Sequence, residues 1–169
     1  MEAALVIRHA GTEDIDTIGL LAYRIWPKTY GNLMSAEKLQ YMLQLIYSPA
    51  SLENQMLQQG HTFLLAELDA APVGFASFSP TSEQGIYKLH KIYVSTDIQG
   101  KGLGKTLLNA VIEEIKLLGA TTLILNVKRD NTARTFYEKF GFTVIKEEDI
   151  DIGNGFFMND YVMEKVLSS

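Results

Sequence analysis

Apolar positions along the chain follow two rhythms, one after the other. Ala4-Leu-Val-Ile-Arg8 is a short β-prone run. Ile15, Ile18, Leu21, Ala22 and Ile25 then recur at helical spacing. They follow Thr12-Glu-Asp14, which sets carboxylates at the positive end of the helix dipole. Ser35 reads as the N-cap of a second helix through Tyr41, Met42 and Leu45. A third, short helix is expected after Ser48-Pro49, ending at Gly60. From His61 the rhythm changes to strands. His61 to Leu68 and Val73 to Phe78 flank a turn at Asp69 to Pro72 and predict an antiparallel hairpin.

Ser79 to Gly85 reads as a polar loop and Ile86 to Val94 as another strand. Leu103, Leu107, Leu108, Val111, Ile112 and Ile115 form one stripe of a helix from Gly102 to Leu118, closed by Gly119. Thr122 to Val127 is a strand of the buried type, Asn131 to Phe140 a helix ended by Gly141, and Thr143 to Lys146 and Phe156 to Val166 are closing strands. Written with the two longer N-terminal helices, the order is β-α-α-β-β-β-α-β-α-β-β. That order predicts an α/β (mixed α+β) fold, a mixed sheet with helices on both faces.

Composition narrows the chemistry. The 169 residues contain no internal repeat or linker and are expected to form a single domain, residues 1–169. No cysteine is present, which removes disulfides, thiolate nucleophiles and Cys-based metal sites. The histidines His9, His61 and His90 are far apart in sequence, so no metal site is expected. A net charge of −5 gives no steering toward polyphosphates, so nucleic acid is not expected as a partner and a cationic small molecule fits better. No apolar run approaches the ~18 residues of a membrane span, and the N-terminus lacks a basic signal-peptide start. A cytoplasmic protein with no membrane partner is the expectation.

The segment richest in chemistry is Val94 to Thr106, a strand end leading into a helix start. Its glycines let a ligand approach the backbone, and the free N–H groups of a helix N-terminus favour an anion such as a phosphate. A glycine-rich turn without ligand remains the alternative. Two well-known phosphate loops fail on counting. A Walker A motif needs glycine where Gln99 stands, and the dinucleotide fingerprint needs it at Lys105 or Leu107.

Gln99-Gly100-Lys101-Gly102-Leu103-Gly104 does fit Gln-x-x-Gly-x-Gly, and so resembles the pyrophosphate turn of the GCN5-related N-acetyltransferase (GNAT) superfamily. Asn131-Thr-Ala-Arg-Thr-Phe-Tyr137-Glu-Lys-Phe-Gly141-Phe142 is similar to that family's second signature. The resemblance spans about residues 4 to 166 and implies a mostly antiparallel central sheet, acetyl-CoA as cofactor and no metal. It also implies that the backbone of Ile92, Tyr93 and Val94 holds the pantetheine arm. The amides of Gln99, Gly100, Lys101, Gly102, Leu103, Gly104 and Lys105 would hold the pyrophosphate. Asn131 matches a cofactor-contacting position, although a plain helix N-cap is an equal reading. Lys139 can reach a phosphate or simply be solvated.

Tyr137 matches the family tyrosine near the cofactor sulfur. Amine attack on the thioester expels a thiolate, and a phenol of pKa about 10 can protonate it. The alternative is a core aromatic beside Phe136, Phe140 and Phe142. An amine of pKa about 10.4 is only about one part in 2,500 neutral at pH 7, so a base is needed as well. Lys88 and His90 share a strand face by period 2. His90 falls where arylalkylamine acetyltransferases look similar in having histidine, and can relay the proton. Packing alone is the competing reading, and Glu67 and Glu83 are weaker reserves.

Trp26-Pro-Lys-Thr-Tyr30 and Phe156 to Met163 resemble bacterial polyamine (spermine/spermidine) acetyltransferases. Trp26 and Tyr30 would then form a cation-binding wall with Asp160 as counter-charge, although Pro27 argues against a helix persisting between the two rings. The expected acceptor is a small primary amine such as a polyamine. An amino acid or peptide N-terminus is the alternative acceptor. A non-catalytic acyl-CoA sensor and a homodimer paired through the final strands are the readings from other classes.

Overall fold

The computed structural model describes residues 4–98 and 102–167. The strands are β1 (Leu5–Ala10), β2 (Thr62–Leu68), β3 (Ala71–Pro80), β4 (Ile86–Val94), β5 (Thr122–Lys128), β6 (Thr143–Gly153) and β7 (Phe156–Val166). The helices are α1 (Ile15–Tyr30), α2 (Ala36–Tyr47), α3 (Pro49–Leu57), α4 (Leu103–Leu117) and α5 (Ala133–Lys139). Three helices therefore separate β1 from β2.

Local chemistry accounts for the helix starts. Ser35 Oγ accepts the Lys38 amide at 3.1 Å and Ser48 Oγ accepts the Ser51 amide at 3.3 Å. Pro49 sits in the first turn of α3, where its missing N–H costs nothing. Pro27, by contrast, lies inside α1, and the helix continues past it to Tyr30. The proline stands one turn from the C-terminus, so it deprives only the Tyr23 carbonyl of a partner, and Tyr23 is exposed.

The strands form one sheet in the order β1-β2-β3-β4-β5-β7-β6. All neighbours are antiparallel except β4 and β5. Asp69 and Ala70, both at positive φ, make the tight turn between β2 and β3. One face of the sheet carries α4, whose Leu107, Leu108, Val111 and Ile115 pack on Ala76, Phe78, Leu89, Leu123 and Leu125. The other carries α1, α2 and α3, with Ile18, Ile25, Leu43 and Leu52 against Phe63, Leu65 and Phe75. The stripes predicted for α1 and α4 are buried, whereas of the residues named for α2 only Met42 is buried and Leu45 is exposed.

β6 runs well past Lys146, to Gly153. It is an edge strand, so a mostly exposed run containing Glu147, Glu148 and Asp149 is compatible with it. From Asp160 to Glu164 β7 is paired on both sides, by β5 and β6, while its first residues, from Phe156, pair in the ladder with β6 alone. β6 is the outer strand along its whole length, and its acidic residues oppose self-pairing.

Candidate active site

The parallel pairing of β4 with β5 runs from Ile86 opposite Thr122 to Leu89 opposite Leu125 and stops there. Beyond that level β4 stays on β3, with Val94 opposite Gly74, and β5 stays on β7, with Lys128 opposite Asp160. The strands diverge and leave a wedge in the sheet. The register of β4 also slips where it passes Ser77 and Phe78, and His90 is the extra residue. Such a bulge bends the strand and increases its twist.

The wedge opens into a cavity of about 650 Å³. Ile92, Tyr93 and Val94 line it from β4, Gly104 from α4, and Asn131 and Tyr137 from the α5 segment. Gly102 precedes α4 at φ +69 with nothing within 4 Å of a built Cβ, so backbone conformation rather than crowding calls for glycine there. The first-turn amides that follow have no intrahelical partner and are free for an anion. Lys105 is exposed on this turn.

Tyr137 is 8% exposed, with Phe136 at 5.3 Å and Phe142 at 5.7 Å between ring centroids. Its hydroxyl has no hydrogen-bond partner among the described residues, and burial, aided by the nearby Tyr30, raises its pKa. The phenol therefore keeps its proton at neutral pH. Asn131 Oδ1 accepts the Ala133 amide at 2.9 Å, so it does cap the segment entering α5 while also facing the cavity. Lys139 is exposed and does not line the cavity.

Because α1 persists through Pro27, Trp26 and Tyr30 do meet, with ring centroids 4.7 Å apart. Tyr93 completes the cluster, its hydroxyl 2.9 Å from that of Tyr30. Trp26 and Tyr30 are buried and Tyr93 half-buried, and all three line the cavity, so the cluster belongs to both the core and the cavity wall. Asp160, 2% exposed, accepts from Asn126 Nδ2 at 3.2 Å. Burial raises its carboxyl pKa, while Asn126 and Lys128 oppose the rise.

A second polar group occupies the α3 end of the cavity. His90 Nε2 lies 2.7 Å from Ser79 Oγ, and its ring stacks on His61 at 3.9 Å. Burial, His61 and the two neighbouring lysines push the His90 pKa down to about 3, and burial with the lysines takes His61 to about 4. Both imidazoles are neutral at physiological pH. Lys91 is 8% exposed, donates to Gln55 Oε1 at 2.7 Å, and has its pKa lowered to about 8 by burial.

The family model for the acetyltransferase (GNAT) domain matches residues 32–165. The chain belongs to the GNAT acetyltransferase family. It is an acetyl-CoA-dependent N-acetyltransferase, an acyltransferase. Over 171 residues it is 29% identical to the spermidine N(1)-acetyltransferase of Thermoplasma acidophilum, covering 98% of this chain and 99% of that one. The crystal structure of the PaiA N-acetyltransferase of Thermoplasma acidophilum in complex with coenzyme A matches with a TM-score of 0.82 at 28% identity, covering 97% of this chain and 99% of that chain. A shorter match, 33% identical over 89 residues, is to the L-amino acid N-acyltransferase of Escherichia coli and covers 50% of this chain and 52% of that protein.

In this GNAT enzyme the wedge and the glycine at the head of α4 fit a pantetheine arm and a pyrophosphate. Gln99, Gly100 and Lys101 lie outside the described residues. Lys105, Lys139 and the reserve acids Glu67 and Glu83 do not line the cavity, and Glu67 instead accepts from Arg8 Nε at 3.1 Å; the remaining sequence-predicted residues line one cavity or lead into it. Lys91 escaped the sequence reading. Period 2 places it on the face opposite His90, but the bulge turns both toward the cavity. A charged residue directly ahead of the apolar run Ile92-Tyr93-Val94 was the available signal.

Proposed function

We propose that this acetyltransferase passes the acetyl group directly from acetyl-CoA to a small primary amine held in the same cavity. The observation that carries the reading is the continuity of that cavity. A single space is lined both by Ile92 to Val94, Gly104 and Tyr137 and by Trp26, Tyr30 and Asp160. With no cysteine in the chain, a thiol acyl-enzyme is excluded.

Acetyl-CoA supplies an activated acetyl group and a thiol leaving group. Tyr137 holds a proton at the cavity wall and donates it to the departing sulfur. Asp160 and the aromatic faces attract the incoming ammonium. His90 is a neutral hydrogen-bond acceptor on the wall. With a pKa of about 3 it passes a proton on toward solvent and does not store it.

A polyamine acceptor is supported by Asp160 and by the similarity to a spermidine acetyltransferase. A second reading, an amine that also bears a carboxylate, is favoured by Lys91 and developed below. Initial rates of CoA thiol release, measured against both substrates, test direct transfer. Intersecting double-reciprocal lines are expected; parallel lines, the mark of a covalent acyl-enzyme, would overturn it.

A further inference from the structure

Lys91 is a buried ammonium with three donors and a single acceptor, Gln55 Oε1, among the described residues. No carboxylate lies within ion-pair distance of it there. Its other close neighbours are the rings of Tyr47 and Phe63, with centroids 5.8 Å and 5.5 Å from Nζ. The charged groups that act on the adjacent His61 and His90 are Lys88 and Lys91, with no acid among them. This end of the cavity therefore carries positive potential, in a chain whose net charge is −5; Lys88 is within reach of the Asp160 charge, whereas Lys91 has no carboxylate acting on it among the described residues. A buried charge is normally paired, and here the open side of Lys91 is the cavity.

Of the other cavity lysines, Lys128 is paired with Asp130 at 3.2 Å and Lys38 donates to the Phe157 carbonyl at 2.5 Å, while Lys88 has no ion pair among the described residues but is less buried than Lys91. Gln55, Gln59 and Ser51 add neutral polar groups around Lys91, and Ile46 and Met42 continue the wall as an apolar surface. Asp160 lies across the cavity, near enough for its charge to act on Tyr30, which in turn acts on Tyr137. An ammonium is thus drawn toward the Tyr137 side and an anion toward the Lys91 side. A polyamine extended through this space would set its second ammonium against Lys91 and Lys88.

We infer that Lys91 is the anchor of a carboxylate subsite, and that the acceptor is an amino acid with an apolar side chain. The inference rests on the amine-transfer reading above and assigns its substrate class. Lys91 acts here as a positioning and specificity residue.

The test uses matched pairs that differ only in the carboxylate: leucine and isoamylamine, phenylalanine and phenethylamine, methionine and 3-methylthiopropylamine, with spermidine alongside. Binding to the CoA-loaded protein is measured by calorimetry, and turnover by thiol release. The amino acid of at least one pair should bind and react at least tenfold better than its amine, about 1.4 kcal/mol. Lys91→Met should raise KM for that amino acid tenfold or more and leave KM for acetyl-CoA and for the amine within about twofold. Lys91→Arg, which keeps the charge, should restore part of the preference. Equal use of both members of every pair, a preference for spermidine, or an unchanged KM in Lys91→Met overturns the subsite. Should neither variant fold, the wild-type pairs decide the matter alone. Carboxylate-dependent binding without thiol release would leave the subsite standing and remove the transfer reading. Release with carboxylate-free amines only would do the reverse.

Discussion

Replacing Tyr137 by phenylalanine removes one oxygen and nothing else. The ring remains packed between Phe136 and Phe142, so the buried apolar surface is retained. The hydroxyl has no partner among the described residues, so its loss orphans no group. Stability should therefore change by no more than about 0.5 kcal/mol, or roughly 1–2 °C in a melt. Chemistry should respond very differently. Burial holds the phenol protonated across the neutral range. A general acid in that position contributes about 10²–10⁴ in rate, or about 3–5 kcal/mol of barrier. Thiol release at saturating acetyl-CoA and amine reads this directly, and calorimetry checks that acetyl-CoA affinity is unchanged. A fall in kcat of less than about threefold, with fold and affinity intact, would make Tyr137 a packing residue and hand its proton to water.

Acetyl-CoA at 100 times its Kd should stabilise the wild type by about 2.7 kcal/mol, about 5–10 °C, and Gly102→Asp should abolish the shift by placing a carboxylate where the pyrophosphate is proposed to sit. The folded pKa values of His61 and His90 lie below the unfolded value, so their neutral forms are favoured by folding. Stability is full above about pH 6.5 and is lost as the pH falls toward 3–4. At pH 4.5, His90 alone accounts for about 2–3 kcal/mol of that loss, and His90→Gln should flatten the denaturant-midpoint profile between pH 7 and 4.5. Leu107→Ala, at a fully buried position of the α4 stripe, should cost about 2–5 kcal/mol without changing KM for either substrate.

What could be read from the sequence was what is local and periodic. The α1 and α4 stripes, the Ser35 and Ser48 caps and the glycine ahead of α4 each act within a few residues, so a linear reading finds them. Three features depend on partners far along the chain. β6 is a strand to Gly153 because β7 supplies its ladder, and nothing in its own acidic run requires it. The helix survives Pro27 because the carbonyl that loses its partner is close to solvent. Lys91 faces the cavity only because the register against β3 slips at His90, and alternation along β4 cannot reveal a slip. The candidate site was legible where a motif marks it: Gly104, Asn131 and Tyr137 line one cavity, and Gly102 stands at the head of α4 beside it. Its electrostatics were not, since His61, just ahead of β2, meets His90 and Lys91 of β4 only through the sheet and the slip in its register.

The short parallel ladder has a mechanical meaning. Four residue pairs join the β1–β4 half of the sheet to the β5–β7 half, whereas β5 and β7 share seven. The seam of least cohesion thus runs along the floor of the catalytic space, and a force on either half is felt first as a change in its width. A ligand that bridges both halves works as a rivet, coupling the grip on one substrate to the shape offered to the other.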